Sequence, residues 1–227
     1  MKERDALVAL FENTGGSDWI NRDGWLSDAE LGNWYGVDTN TQGHVTRIVL
    51  DENNLVGSLP PELGVLVHLS RLSLQRNGLI GEIPPELGRL ARIDTLDLYI
   101  NGLSGAIPQE LLELEDVAML LLGFNQLSGS IPPGLGSMPG LERLWLNHNN
   151  LSGPVPPELG ELGAQLQWLD IQENGALEGA LPREFMSLTG LLRFEWGGTS
   201  LCSPSDEVFQ AWLMTVPTWY GRGPACP

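Results

Sequence analysis

Apolar and polar residues alternate in a pattern that recurs seven times along this 227-residue chain. The repeat can be written L-x-x-L-x-L-x-x-N-x-L-x-G-x-(I/L/V)-P, and its copies begin 24 or 25 residues apart. They start at Val45, Leu69, Ile93, Val117, Leu141, Leu166 and Leu191. In the fifth copy, Leu144 and Leu146 flank Trp145, so the leucines point to one side of a short strand and the tryptophan to the other. A fixed period of this length predicts a solenoid whose coils each add one strand to a parallel sheet.

The other repeat positions predict how each coil turns. The ninth position is an asparagine, whose amide can satisfy backbone groups where the chain leaves the strand. Glycine and proline follow and favour tight, non-helical backbone, after which segments such as residues 61–64 (PELG) predict a short helical turn. The predicted asparagine ladder consists of Asn53, Asn77, Asn101, Asn125, Asn149 and Asn174.

The glycine-proline form of the repeat, as in residues 79–88 (LIGEIPPELG), resembles the plant-type leucine-rich repeats. Segments 5–11 (DALVALF) and 34–37 (WYGV) are similar to the N-terminal cap of that family, and their sequence most resembles that of its brown-algal and microbial members. The resemblance implies an α/β solenoid: a right-handed leucine-rich-repeat superhelix with a parallel concave β-sheet, 3-10 or short helical turns on the convex side, and helical caps. Members of the family bind proteins, peptides and glycans on one frame, so the resemblance implies no particular ligand.

The chain is expected to divide into an N-terminal cap (residues 1–44), the repeats (45–201) and a C-terminal cap (202–227). In the first cap, residues 3–12 are expected to be helical, with the large side chains of Trp19, Trp25 and Trp34 covering the first coil. In the last cap, Ser203 is expected to begin a helix as its N-cap, with Pro204 at the first helical position.

Both cysteines, Cys202 and Cys226, follow the last repeat. A disulfide between them would attach the cap to the final coil, and it would place the protein outside the cell or in the secretory route. The alternative is two free cysteines in a cytoplasmic protein. The cysteine pair that many plant members carry near their Trp-x-Gly-Val motif is missing here, which favours that alternative. No signal peptide precedes Asp5, which fits either a mature or trimmed chain or a protein that stays inside the cell. Asn150 begins a glycosylation sequon, but the repeat itself accounts for that sequence.

Candidate binding residues are sought at variable positions of the concave sheet. Because strands stack about 4.8 Å apart, equivalent residues of successive repeats form columns. The middle columns predict a solvent-facing apolar centre with a charged rim, as protein interaction sites have, and Gly123 is expected to leave a notch beside Trp145. The apolar centre comprises Tyr99, Ile100, Met119, Leu121, Phe124, Trp145 and Trp168, and the rim comprises Arg71, Asp97, Arg143, His148, Asp170, Arg193 and Glu195. Alternatively, these side chains cover one another or meet a second copy of the chain.

Charge and residue content exclude several classes of function. The net charge of −17 disfavours nucleic acid and anionic membranes as partners, and no apolar run approaches the ~18 residues of a membrane span. No Cys or His spacing indicates zinc, so neither a metal nor another cofactor is expected. Catalysis lacks support because Asp97 and Asp170 lie three repeats apart, roughly 14 Å, which is too far for a glycosidase pair.

The sequence therefore predicts a non-catalytic recognition module that binds a protein, peptide or oligosaccharide on its concave face, in defence or signalling. Two alternatives stay open: a structural, self-assembling protein, and an inhibitor of a cell-wall-degrading hydrolase. Either a monomer or a homodimer fits the pattern.

Overall fold

A computed structural model of the chain describes residues 2–221, 223, 225 and 226. It is a leucine-rich-repeat solenoid, as the repeat predicts. Helix α1 spans Glu3–Asn13 and helix α2 spans Glu207–Leu213. The strands are β1 (Val37–Thr39), β2 (Val45–Val49), β3 (Val56–Ser58), β4 (Arg71–Ser73), β5 (Gly78–Glu82), β6 (Thr95–Asp97), β7 (Gly102–Gly105), β8 (Met119–Leu121), β9 (Gln126–Gly129), β10 (Arg143–Trp145), β11 (Asn150–Gly153), β12 (Trp168–Asp170), β13 (Ala176–Ala180), β14 (Arg193–Glu195), β15 (Ser200–Cys202) and β16 (Thr218–Tyr220).

Two sheets run along the solenoid. Within the described residues, the concave sheet contains β1 and the even-numbered strands, and the second sheet contains the other odd-numbered strands. Pairing is parallel except between β1 and β2. The concave register aligns equivalent repeat positions, as where Arg143 pairs with Met119 on one side and Trp168 on the other. The columns predicted from the repeat are therefore physical neighbours.

Short 3-10 turns close the coils opposite the concave sheet. Each follows a proline, such as Pro60 or Pro84, whose ring fixes φ and ends the extended segment. The turns span Pro61–Val65, Pro85–Arg89, Gln109–Glu113, Pro133–Ser137, Pro157–Leu162 and Arg183–Ser187. Between the two sides, leucines of successive repeats form one continuous apolar core.

The asparagine ladder links neighbouring coils. The side-chain amide of Asn125 donates to the backbone oxygens of Leu98, Leu122 and Gly123 at 3.0–3.2 Å, and its Oδ1 accepts from the backbone N–H of Leu103 at 3.0 Å. Asn149 and Asn174 make the same kinds of contact one and two coils later. In these repeats, one buried asparagine side chain per coil therefore satisfies backbone groups of two coils where the strand ends.

The eighth repeat position has a backbone conformation that the sequence did not indicate. The strands end at the fifth position, and the eighth residue lies in the following turn with φ between 52° and 55°. This left-handed region is unusual for non-glycine residues and most of all for a β-branched one. The residues concerned are Glu52, Arg76, Ile100, Phe124, His148 and Glu173. Their side chains therefore belong to a turn beside the concave strands.

The caps cover both ends of the core. Trp19, Trp25 and Trp34 are at most 7% exposed and pack in sequence, with ring centroids 4.8 and 5.0 Å apart. The predicted disulfide between Cys202 and Cys226 is confirmed, with Cα atoms 5.0 Å apart.

The start of the C-terminal helix was placed wrongly by the sequence. Helix α2 begins at Glu207, after Asp206, whose carboxylate accepts from the backbone N–H of Phe209. Asp206 can reach that donor, and so it replaces Ser203 as the N-cap. Strand β16 then adds a further strand beside β14. Among the described residues, no helix is long and apolar enough to cross a membrane.

Candidate functional site

Four aromatic side chains form a continuous row across the middle repeats, and we call them the aromatic row: Phe124, Tyr99, Trp145 and Trp168. Neighbouring ring centroids in that order lie 5.3, 5.5 and 4.5 Å apart, with interplanar angles of 62° to 74°. Edge-to-face packing of this kind is favourable because the positive ring edge meets the negative ring face. Phe124 is 38% exposed and the other three are half-buried. The row therefore has both an internal packing role and a solvent-facing surface.

Polar side chains extend the row at both ends. The imidazole of His148 stacks on Phe124 at 3.9 Å. At the other end, the guanidinium of Arg193 lies 4.3 Å from the ring centre of Trp168 and hydrogen-bonds to Glu195. Arg193 is thereby held over the indole face, in a cation–π contact.

Three acidic side chains lie beside the row at the fifth repeat position: Asp97, Asp170 and Glu195. They are only 5–6% exposed, so they do not form the solvated rim that the sequence predicted. Burial raises the pKa of Asp97 to about 6 and that of Asp170 to about 7. For Asp170, the nearby Glu195 raises the pKa further, whereas the backbone N–H of Gln172 and the charge of Arg193 lower it.

Gln172 connects two of these acids. Its side-chain amide lies 3.1 Å from Oε2 of Glu195 and 3.4 Å from Oδ2 of Asp170. Arg193 is the nearby cation for both carboxylates, and it is already paired with Glu195. Asp170 therefore lies in a site that still favours an additional positive charge.

The remaining predicted residues differ in accessibility. Met119 and Arg71 are half-buried, Arg143 is exposed, and Ile100 is half-buried in the turn after β6. Leu121 is only 8% exposed, opposite Asp97 and Trp145 of the neighbouring strands, so its assignment to the solvent-facing surface was wrong. The notch expected at Gly123 is also filled, because an added Cβ would lie 2.2 Å from Oδ1 of Asn147 and 3.0 Å from the Tyr99 ring.

Several polar atoms at this surface are buried without a hydrogen-bond partner among the described residues. They are Nε1 of Trp145, Nε1 of Trp168, Oδ1 of Asn147 and Nε of Arg71. Buried polar groups are rarely left unpaired, and each costs about 1–3 kcal/mol when it is. Their concentration around the aromatic row distinguishes this face from the ladder side, where the asparagines are fully bonded.

Sequence reasoning missed Asn147 and Gln172, which both occupy the seventh repeat position. The signal was present, because the fifth and seventh positions point to the same side of an extended chain. Only the structure shows that these two amides contact the rings and the acids. A separate group of possible metal ligands lies at the N-terminal cap, away from this surface.

Comparison with known proteins agrees with the architecture. The Leucine Rich Repeat family model matches residues 68–90 and 140–162. No curated protein sequence matches the chain. Among solved structures, a plant ice-binding protein is 28% identical over 91% of this chain and 65% of its own, with a TM-score of 0.81.

Two structures from Arabidopsis thaliana are also similar. The ectodomain of the membrane receptor kinase GASSHO1/SCHENGEN3, solved in complex with CASPARIAN STRIP INTEGRITY FACTOR 2, is 32% identical over 88% of this chain, with a TM-score of 0.78. The chain spans only 24% of that structure's length. In the BIR3–SERK2 complex, the matched chain is 30% identical over 71% of this chain and 91% of its own, with a TM-score of 0.59. With the glycine-proline repeat and the two sheets, these similarities show that the chain belongs to the plant-type leucine-rich-repeat family.

Proposed function

We propose that this protein is a non-catalytic recognition module that binds an extended peptide segment of a protein ligand along the aromatic row, with a cationic side chain of the ligand beside Asp170 and Glu195. The main support for this proposal is that the half-exposed rings of the aromatic row lie beside buried carboxylates that have only Arg193 as a nearby cation. Aromatic groups supply contact area at low entropic cost, and the acids supply preference for positive charge.

The dimensions suit an extended peptide. From β6 to β14 the concave sheet advances by four strands, or roughly 19 Å at a spacing of about 4.8 Å. An extended chain covers that distance in about six residues. The orphaned indole N–H groups of Trp145 and Trp168 would gain partners if ring reorientation on binding turned them toward backbone carbonyls of the ligand.

The similar structures support a binding role, since one of them was solved in complex with CASPARIAN STRIP INTEGRITY FACTOR 2. The disulfide supports an extracellular or secretory location, where such bonds persist. The net charge of −17 favours a cationic ligand through long-range attraction. We therefore extend the proposal to a sensing role outside the cell.

The similarity to an ice-binding protein does not change this proposal. In the second sheet, Ser104, Ser128 and Ser152 occupy equivalent repeat positions, and each hydroxyl donates to a glycine carbonyl of the preceding coil at 3.4 Å. Ile80 and Glu178 interrupt the column on either side. A run of three hydroxyls gives little support to ice binding, which would call for an extended regular array of threonine or serine on one face.

The proposal is tested by selecting ligands for the immobilised protein from a random peptide-display library, beside an array of cell-wall oligosaccharides. Selected peptides are expected to contain Lys or Arg together with apolar residues. Their affinity, measured by calorimetry, is expected to fall at least ~10-fold in Phe124→Ser and Trp168→Leu, a loss of about 1.4 kcal/mol.

A matched control is Ile80→Ser, which removes an exposed apolar side chain from the second sheet. Its affinity for the selected peptides should equal that of the wild type. Peptides whose affinity is the same in all variants would contradict the proposed surface. Binding to oligosaccharides but to no peptide would indicate that the ligand is a glycan. A dimer that dissociates in Trp145→Asp would favour self-association. If the wild type inhibits a cell-wall-degrading hydrolase and Phe124→Ser and Trp168→Leu do not, the inhibitor alternative would be favoured.

A further inference from the structure

A second cluster of polar side chains lies where helix α1 meets the first two repeats. Glu3 is in the first turn of α1, and His44 and His68 each directly precede the first position of a repeat. Because neighbouring strands place equivalent positions side by side, the two imidazoles stack with centroids 4.1 Å apart and planes inclined by 13°. Oε1 of Glu3 lies 3.1 Å from Nδ1 of His44 and 3.8 Å from Nδ1 of His68.

The carboxylate of Glu3 is fixed by the backbone. The N–H of Val45 donates to Oε2 at 2.7 Å, which leaves Oε1 facing the two imidazoles. Outer hydrogen bonds of this kind orient a ligating carboxylate before an ion arrives. The side chains of His44, His68 and Glu3 are 41%, 28% and 18% exposed, so the cluster is open to ions from solvent.

A single hydrogen bond accounts for only part of this arrangement. His44 hydrogen-bonds to Glu3, but Nδ1 of His68 is buried and has no hydrogen-bond partner among the described residues. That nitrogen is nevertheless directed at the same carboxylate oxygen. All three ligand atoms lie within 4.8 Å of one another.

We infer that Glu3, His44 and His68 form a binding site for one Zn²⁺ ion, coordinated by Oε1 of Glu3 and the two Nδ1 atoms, with water in the remaining position. Two imidazoles and one carboxylate are a ligand set that zinc accepts in tetrahedral sites with an open position. An imidazole lone pair lies in the plane of its ring, so the two nearly parallel rings turn toward the ion as it binds.

The position of the site implies a structural effect. The ion would join the first turn of α1 to the chain segments that enter β2 and β4, and so attach the N-terminal cap to the first two coils. Because only the folded chain brings these three residues together, zinc binding stabilises the folded state. The concave face takes no part in this inference.

The test is a zinc titration of the full chain at neutral pH against a chromophoric chelator. The expected result is one ion per chain, with affinity reduced roughly 100-fold or more in H44Q and H68Q because one of three protein ligands is lost. H148Q is the matched control, since it removes the chain's third histidine, which stacks on Phe124 at the end of the aromatic row, and it should bind zinc as the wild type does.

Two further measurements separate a specific site from diffuse binding to an acidic surface. Zinc at about 100 times the wild-type dissociation constant should stabilise the wild type roughly 100-fold and raise its Tm, and EDTA should reverse this; the same zinc concentration should stabilise H44Q at most about twofold. Cobalt should give a visible absorption band that H68Q and E3Q lack. Equal zinc affinity in H44Q and the wild type, or no saturable binding by the wild type, would overturn the inference. Circular dichroism checks that each variant is folded; if H68Q is not, the more exposed H44Q carries the test.

Discussion

Asn125 illustrates at the scale of one residue how adjacent coils are held together. Its amide and carbonyl together make four hydrogen bonds to backbone groups of two coils, in a position that is 8% exposed. Removing the side chain takes this acceptor away from the backbone N–H of Leu103, whereas the three carbonyl oxygens keep a second donor each.

We therefore expect Asn125→Ala to lower the free energy of unfolding by roughly 1–3 kcal/mol, the cost of leaving buried groups unpaired. Denaturant titration followed by circular dichroism measures it. Asn150→Ala is the comparison, because Asn150 is exposed and follows the ladder residue of the next coil. If the two variants melt alike, the ladder contributes less than its hydrogen bonds indicate.

The repeat also shows where single-residue prediction stops. Core leucines and ladder asparagines could be assigned because each recurs at a fixed position with one chemistry. The eighth position holds Glu, Arg, Ile, Phe and His in different coils, so nothing in its residue type indicated a φ above 50°. The geometry there is imposed by the coil, which needs a reversal after every strand, and only a backbone structure reveals it.

At the scale of the secondary-structure element, β12 and β14 place two acids on adjacent strands in register, Asp170 opposite Glu195. Their register follows from the repeat, and so the sequence could bring them together. Their burial could not be predicted, because it depends on how the side chains around them pack, including Gln172, which bonds to both acids, and Arg193, which bonds to Glu195. The sequence placed these acids on a charged rim, whereas the structure shows that they are buried.

This burial predicts an unusual pH dependence. The folded-state pKa of Asp170, about 7, exceeds its ordinary value of 3.8, so the folded protein holds this proton more tightly than the unfolded chain. Stability from this group is present at pH 4 and is lost as the pH rises through 7. Asp170→Asn should therefore stabilise the protein at pH 8, by up to about 4 kcal/mol, and change little at pH 4.

Thermal melts across pH 4–8 measure the effect, with Asp116→Asn as a control, because Asp116 is an exposed acid outside the sheet. Asparagine keeps the acceptor for the backbone N–H of Gln172, so geometry is maintained. A variant that is destabilised at pH 8 would show that the ionised carboxylate is well compensated, and it would remove the argument for a cationic ligand.

At the scale of the whole molecule, stability depends on the two ends, because each internal coil packs only against its neighbours. The C-terminal end combines α2, β16 and the bond between Cys202 and Cys226, which are 24 residues apart. The sequence indicated the cap and the disulfide through their position after the last repeat. It could not indicate β16, whose pairing with β14 carries no repeat pattern.

We expect the double variant Cys202→Ser/Cys226→Ser to be less stable by about 3 kcal/mol, as the loop-closure entropy of a loop of this size predicts. Chemical unfolding of the variant and of the reduced wild type should give the same loss. Hydrogen exchange should locate it in α2, β16 and the last coil, with the N-terminal coils protected as before. An equal loss of protection in α1 would indicate a fully cooperative solenoid instead.

Because the concave strands are in register, each added coil would lengthen the proposed binding surface by one strand spacing. Duplicating residues 117–140 would insert one complete coil between the strands that carry Tyr99 and Trp145, and every ladder and core contact could form again at the new junctions. The two halves of the aromatic row would then move apart by one strand spacing, about 4.8 Å, or roughly one and a half residues of an extended peptide. Repeat number, altered without substituting any residue, would therefore change which ligand length is bound.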